Sequence, residues 1–507
     1  MKNNSGRNSR KFKIVGLGAA ALVVTALIVL AVATLFDPTI SVPGKYRTIQ
    51  EAIESAKDGD VIVVEPGIYY EQIDFMGKNI TVRSTDPEDP AVVADTIIDG
   101  RKRGSVVTFR SGEGLSAVMK GFTITGGIGT TEETTHIYED EEITIEGSYG
   151  GGILVTNGSS PTIELNVIRG NSVEIDGGGI AVTDNSNPLI KRNVIEGNSA
   201  LNGAGISIWA SNPIIEDNTI WGNLSNNVGA GISVYIDASA RISGNNIHDN
   251  MAGEGGGGIS ILSSDPLLSG NTITENNASR YGGGVFIVNS SPTIDGNNIS
   301  NNSSTNSGGG IYVVAGSAPM ISNNTIMENY TDENGGGIAV AGASEPTIID
   351  NIISDNVVLA GGGGIYVEES SVIIERNVIS GHRVAQDGGG IAIMINSTAA
   401  IINNIIDNNI AGRYGGGLLV GNNSSADISD NTITNNKATN GGGLFVLSSA
   451  IALSANDFIG NAANAGGALL GVDTSINISD PDDNTYSGNI PEDIDPEEEE
   501  PAEKEDE

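Results

Sequence analysis

The residue that follows each glycine run in this chain returns at a nearly fixed interval. Ile153, Ile180, Ile206, Ile232, Ile259, Val285, Ile311, Ile338, Ile365, Ile391, Leu418, Leu444 and Leu469 are separated by 27, 26, 26, 27, 26, 26, 27, 27, 26, 27, 26 and 25 residues. An interval so regular over so many copies is the signature of a solenoid. A linker would not keep it. Phosphate-binding loops are excluded because no GxxxxGK[ST] occurs and no helical pattern follows any run. Each copy carries three short apolar segments, as in "GGGIYV", "SPTI" and "NNTI". Alternating β-branched residues bounded by Gly, Pro, Asn and Ser read as strand. Three strands per copy predict one three-sided coil, with successive coils hydrogen-bonded in parallel about 4.8 Å apart. A lone coil is unstable. Its five or so aliphatics contribute roughly 8–15 kcal/mol on burial. Ordering each of its residues costs about 1–2 kcal/mol. Only stacking makes the unit stable, so both ends need covers.

Two columns account for much of the composition, which includes 70 glycines in 507 residues. An Asn recurs before the end of the third strand, at Asn271, Asn297, Asn324, Asn351 and Asn377 among others. Asn tolerates left-handed backbone at a tight corner, and stacked Asn side chains can hydrogen-bond along a rod. Within each glycine triplet the first residue is never replaced, the middle becomes Ala at Ala204 and Ala230, and the third only at Ala468. The first and third positions are therefore expected to need positive φ or close approach. The middle one is expected to face inward with Ile and Val. At the start, "TIQEAIESAKDGD" predicts an amphipathic capping helix, with Thr48 and Glu51 as a capping box and Ile49, Ala52, Ile53 and Ala56 on one face.

These features resemble the right-handed parallel β-helix, or pectate-lyase-like, superfamily. "YRTIQEAIESAKDGDVIVVEPGIYYE" (Tyr46–Glu71) is similar to its N-terminal cap and first coil, and the copies resemble its generic repeats. "GGALL" with "FIGN" is also similar to GGAI/FxxN repeats of outer-membrane adhesins. The resemblance implies an all-β, single-stranded right-handed parallel β-helix. The superfamily holds lyases, hydrolases, epimerases and adhesins, so the fold alone does not choose a function.

The rest of the chain sets the expected organisation. Lys2, Arg7, Arg10, Lys11 and Lys13 precede a charge-free run, Ile14–Phe36, long enough to cross a bilayer. This predicts a basic cytoplasmic segment at 1–13, a transmembrane helix at 14–36, a linker at 37–47, the β-helix at 48–484 and an acidic disordered tail at 485–507. Ala31-Val32-Ala33 fits a signal-peptide cleavage site, which makes a secreted chain the alternative. The absence of Cys removes disulfide and thiolate chemistry. With 63 acidic against 25 basic residues and a net charge of -38, the surface repels phosphate backbones, so nucleic acid is not expected as a partner. A monomer is expected.

Four features bear on function. The residue after each repeat anchor points outward, and the aromatic ones are Phe286, Tyr312, Tyr366 and Phe445. Tyr312 and Tyr366 lie two coils apart, roughly 9.6 Å, near the disaccharide repeat of an extended polysaccharide. Exposed rings on a sheet can stack on sugar faces, unless the loops before each glycine run fold over them. "SRYGGG" and "GRYGGG" place Arg280 and Arg413 just before the first strand, where an arginine could bind or deprotonate a uronate. Seven carboxylates crowd "TEETTHIYEDEEITIEGS", with Glu139, Asp140, Glu141 and Glu142 as candidate Ca²⁺ ligands in what otherwise reads as a solvated loop. His382 replaces an Asn found at the same place in most copies, as a tolerated turn residue. The expected function is an exported cell-surface module that binds polysaccharide along one sheet. The alternative is a uronate lyase.

Overall fold

Short alternating segments wind the chain into stacked coils. The computed structural model describes residues 39–138, 141–478, 483–491 and 494–496. The architecture is a right-handed parallel β-helix. Three long sheets run its length. Sheet 1 follows the glycine runs, sheet 2 holds the "SPTI" strands and sheet 3 the "NNTI" strands, with 16, 17 and 16 strands respectively among the described residues. At about 4.8 Å per strand the rod is roughly 70 Å long. Ile259 pairs with Val285 and Val285 with Ile311, so the anchor column stacks in register as expected. Four inward columns fill one continuous core: Ile311 and Val313 from sheet 1, Ile321 from sheet 2 and Ile326 from sheet 3, all fully buried, represent one coil.

The coil has a fourth side that the three-strand reading lacks. Nine two-residue strands, from Ser199–Ala200 to Ile410–Ala411, form a short sheet 4. Each turns one small or β-branched residue inward, such as Ala252, Ala278, Ser304 or Val358. The glycine triplet lies directly against this sheet. A Cβ on Gly309 would fall 2.7 Å from the carbonyl oxygen of Tyr330 in the next coil's short strand. A Cβ on Gly310 would fall 2.6 Å from the carbonyl oxygen of Gly337. The middle position therefore faces sheet 4 and not the main core. Ala204 accordingly packs with Val173 and Ala200 in a small cluster of its own. The first position holds positive φ in every copy, as expected; at Gly308 φ is +67°.

Side-chain ladders mark the corners. Between sheets 2 and 3, Asn271 donates its N–H to Asn297 Oδ1 at 2.9 Å, Asn297 to Asn324 at 2.8 Å, Asn324 to Asn351 at 2.9 Å, and Asn351 to Asn377 at 2.9 Å. Each Nδ2 also donates to a carbonyl of the preceding coil, as Asn297 does to Leu268 at 3.0 Å. The left-handed residue at this corner is the one before the ladder Asn, namely Gly296, Asn323, Asp350 or Arg376, so the ladder Asn serves hydrogen bonding and not backbone strain. A second Asn ladder runs between sheets 3 and 4, through Asn276, Asn302, Asn329 and Asn356. A serine ladder runs between sheets 1 and 2, from Ser264 through Ser290, Ser317 and Ser344.

The ends are covered and the boundaries move outward. Helix Ile49–Ser55 buries Ile49, Ala52 and Ile53 on the first coil. Thr48 Oγ1 accepts from the Glu51 N–H at 3.1 Å, and Glu71 accepts from the N–H groups of Ile49 and Gln50 at 3.0 Å. Thr39–Val42 pairs with Val61–Val64, so part of the predicted linker is already sheet. At the other end Thr485–Ser487 and Ile494–Pro496 extend sheets 3 and 1 into the segment read as tail. Residues 1–13 and the apolar run Ile14–Phe36 lie outside the described residues. Among the described residues no helix is long and apolar enough to cross a membrane.

Alanine substitution tests the close approach. Gly308 and Gly296 both have positive φ, but a Cβ on Gly308 would meet Ile311 O at 2.5 Å whereas one on Gly296 meets nothing within 4 Å. Gly296→Ala should cost about 1–2 kcal/mol from backbone strain alone. Gly308→Ala should lower the urea midpoint at least twice as far. Equal losses would refute the steric account.

Candidate functional site

The outward face of sheet 1 carries the predicted site, and the segment before each glycine run shapes it. These segments pair coil to coil through bridges such as Gly255–Tyr281 and Tyr281–Ser307, which holds them over the sheet. The aromatic stripe is therefore partly closed. Phe286 is only 9% exposed and Phe445 only 3%. Tyr281 stacks on Phe286 at 6.0 Å and on Tyr312 at 5.1 Å, and Tyr414 stacks on Phe445 at 4.6 Å. Phe286 and Phe445 are thus packed under the tyrosines of the two "RY" motifs and present no open face. Tyr312 and Tyr366 stay half-buried. Between them lies Ala339, buried at 1% exposure with its Cβ close to the backbone of Gly335. The Tyr366 hydroxyl donates to Glu368 Oε2 at 3.1 Å. Burial first, then the Glu368 carboxylate, pushes the Tyr312 hydroxyl up to about 12 and raises that of Tyr366 further still. Burial raises the Glu368 carboxyl as well.

The two arginines are committed to their neighbours. Arg280 Nη1 lies 2.8 Å from Glu254 Oε1, and its guanidinium sits 5.0 Å from the Tyr281 ring centre. Arg413 Nη2 lies 2.5 Å from Asp387 Oδ2, and its guanidinium is 5.6 Å from the Tyr414 ring centre. Asp387 raises the pKa of Arg413 further, the opposite of what a base at neutral pH requires. Each arginine instead braces the tyrosine that covers the stripe.

The acidic insertion is an antiparallel hairpin, Thr130–Tyr138 with Glu141–Tyr149, where a loop was expected. Glu141 and Glu142 begin its second strand, while Glu139 and Asp140 fall outside the described residues. No group of three metal-ligating residues occurs among the described residues. Beside the hairpin's base lies a network that pattern reading missed. Asp176 is 3% exposed, accepts from the Tyr235 hydroxyl, and accepts from Asn202 Nδ2 at 3.0 Å. Tyr235 Oη also lies 3.0 Å from Ser207 Oγ. Burial pushes the Asp176 carboxyl up to about 6, against the lowering influence of these hydrogen bonds. The four residues come from three coils and share no motif, so only the register brings them together.

His382 stands in the second Asn ladder and is fully buried. Its Nδ1 accepts from the Asn356 N–H at 3.0 Å, which leaves the proton on Nε2. A second proton would set donor against donor, and burial lowers the imidazole pKa to about 4. His382 is thus a substituted ladder rung.

A family model described as right-handed beta helix region matches residues 117–265, 204–359 and 332–490. The chain belongs to the right-handed β-helix family. No curated protein matches it in sequence. Among solved structures, this β-helix protein is similar to the A-module of mannuronan C-5 epimerase AlgE6 from Azotobacter vinelandii. That match has 14% identity, covers 89% of this chain and 94% of that one, and has a TM-score of 0.26. It is also similar to pectate lyase Pel9A, at 13% identity over 83% of this chain and 78% of that one, TM-score 0.22. A third match is PfbA, a surface adhesin of Streptococcus pneumoniae, at 11% identity over 86% and 87%, TM-score 0.22. Likeness this distant concerns the fold alone.

Two buried groups of this β-helix titrate in opposite senses. Folded Asp176 keeps its proton to about pH 6, whereas the unfolded carboxyl loses it near 3.8. Stability is therefore lost as pH rises through that window. Folded His382 stays neutral down to about pH 4, whereas the unfolded imidazole takes a proton near 6.5. Stability is lost there as pH falls. Each slope is about 1.4 kcal/mol per pH unit, so between pH 4 and 6 they offset one another. Relative to the parent, Asp176→Asn should gain stability with rising pH across this range, and His382→Asn should lose it. Denaturation midpoints that shift in parallel for both variants would contradict the assignment.

Proposed function

We propose that this protein is a surface-displayed recognition rod that holds an extended polysaccharide along the edge of sheet 1. The observation that supports the reading most directly is the pair Tyr312 and Tyr366. They are half-buried, stand two coils apart, and have the small residue Ala339 at the equivalent position of the coil between them. Two strand spacings are about 9.6 Å, which leaves room for a sugar ring beside each tyrosine. Tyr312 already stacks on Tyr281 and Phe286, so the ring surface that the two tyrosines leave exposed supplies the stacking area, and Glu368 and the two hydroxyls supply hydrogen-bonding partners. The net charge of -38 favours a neutral glycan over a polyanionic one. Display follows from the apolar run Ile14–Phe36 behind its basic flank, with the β-helix outside the cytoplasm. Secretion after cleavage near Ala33 serves the same reading.

The test is retention on immobilised glycans, neutral and acidic, with and without Ca²⁺. Tyr312→Ala with Tyr366→Ala should weaken retention at least tenfold while leaving the far-ultraviolet circular dichroism unchanged. Unaltered retention would remove sheet 1 from the account. Release of unsaturated, ultraviolet-absorbing product from a uronate polymer would replace binding with lyase chemistry.

A further inference from the structure

Sheet 3 carries a second feature, on a different side of the rod. Arg169, Glu196, Trp221 and His248 occupy one outward column in consecutive coils. Trp221 is 39% exposed. One face of its indole is backed by His248, whose ring lies 6.0 Å away and 6° from parallel. Asp249 Oδ2, 2.7 Å from His248 Nδ1, fixes that backing ring. The other face of the indole looks onto the coil of Glu196. There a cavity of about 390 Å³ is lined by Thr125, Arg169, Glu196, Gly197, Trp221 and Gly222. That volume lies within the range of small-ligand sites.

The glycines beside this cavity hold positive φ, where a side chain is strained but not excluded. Gly170, Gly197 and Gly222 sit at a left-handed corner position that the next four coils fill with Asp249, Glu275, Asn301 and Glu328, all at positive φ, and that returns to glycine at Gly381, Gly460 and Gly488. A Cβ on Gly197 would meet nothing within 4 Å. Side chains are thus tolerated at this corner by the fold yet missing on the coil of Trp221 and on the two coils before it. Their absence clears a trough whose end wall is an aromatic ring and whose far end holds a cation and an anion, with Arg169 Nη1 3.7 Å from Glu196 Oε1.

We infer that this trough is a saccharide-binding site that takes one pyranose ring against Trp221, with ring hydroxyls hydrogen-bonded by Glu196 and Arg169. Flat apolar sugar faces suit an indole backed on its far side, and adjacent carboxylate and guanidinium groups suit vicinal hydroxyls, one accepting and the other donating. The site is separate from the sheet 1 edge, so the rod would engage glycan on two sides.

The experiment uses the full chain carrying Trp209→Phe, which leaves Trp221 as the one emitting tryptophan. Cello-, manno-, chito- and alginate hexasaccharides are titrated while its fluorescence is followed. At least one should shift the emission saturably, and Gly197→Asp should weaken that titration at least tenfold. The Asp variant copies the residue that the fold already holds at Asp249, and circular dichroism checks that it folds. Silence from every oligosaccharide would overturn the inference, as would unchanged affinity in Gly197→Asp. Affinity lost in Tyr312→Ala with Tyr366→Ala but kept in Gly197→Asp would assign the glycan to sheet 1 and also overturn it.

Discussion

Backbone pressed against backbone at the glycine triplet is the constraint on which the rest of the structure depends. Where Gly309 abuts the short strand at Tyr330, a Cβ would fall 2.7 Å from a carbonyl oxygen of the next coil, and the largest side chain that any copy places at this position is the methyl of Ala204 and Ala230. This contact closes the fourth side and fixes where each coil begins. It also places the residue before the triplet above the sheet that follows. Once that geometry repeats, the ladders follow, because equivalent Ser and Asn side chains then lie one strand spacing apart. Each rung satisfies polar groups that a corner would otherwise bury unpaired, at a net gain near 1 kcal/mol per hydrogen bond.

The same contact shapes the functional surface. A flat sheet would expose its outward aromatic stripe from end to end. Here Tyr281 and Tyr414, each braced by the preceding arginine, lie across Phe286 and Phe445 and turn them into packing. What remains exposed is set by exceptions to the repeat: the half-buried Tyr312 and Tyr366 on either side of Ala339, and the glycine trough beside Trp221. In a periodic molecule the sites are the places where the period is broken without structural need.

Much of the fold was legible because its columns have a period that a sequence displays. The anchor aliphatics, the first Asn ladder, the capping helix and the invariant first glycine could all be read from spacing. The fourth strand could not, since two residues with one inward Ala or Val carry no alternation to detect. The serine ladder was hidden in ordinary turn composition, and Asn297 was misread as the left-handed corner residue because Asn is common there; Gly296 takes that conformation instead. The site was less legible. Which rings stay open depends on chain segments folding across a sheet, and the Asp176–Tyr235 contact joins residues 59 positions apart. His382 was placed correctly as a substituted Asn, but its buried, proton-excluding environment is a property of the stack.

The most direct test of this account is hydrogen exchange of asparagine side chains in the ¹⁵N-asparagine-labelled protein. Ladder amides such as those of Asn297, Asn324 and Asn329 donate to both neighbouring coils and are closed to solvent. Two ladders of such rungs should leave most buried side-chain amide protons unexchanged for hours at neutral pH. Exchange of all of them within minutes would contradict the stacked coil and everything built on it.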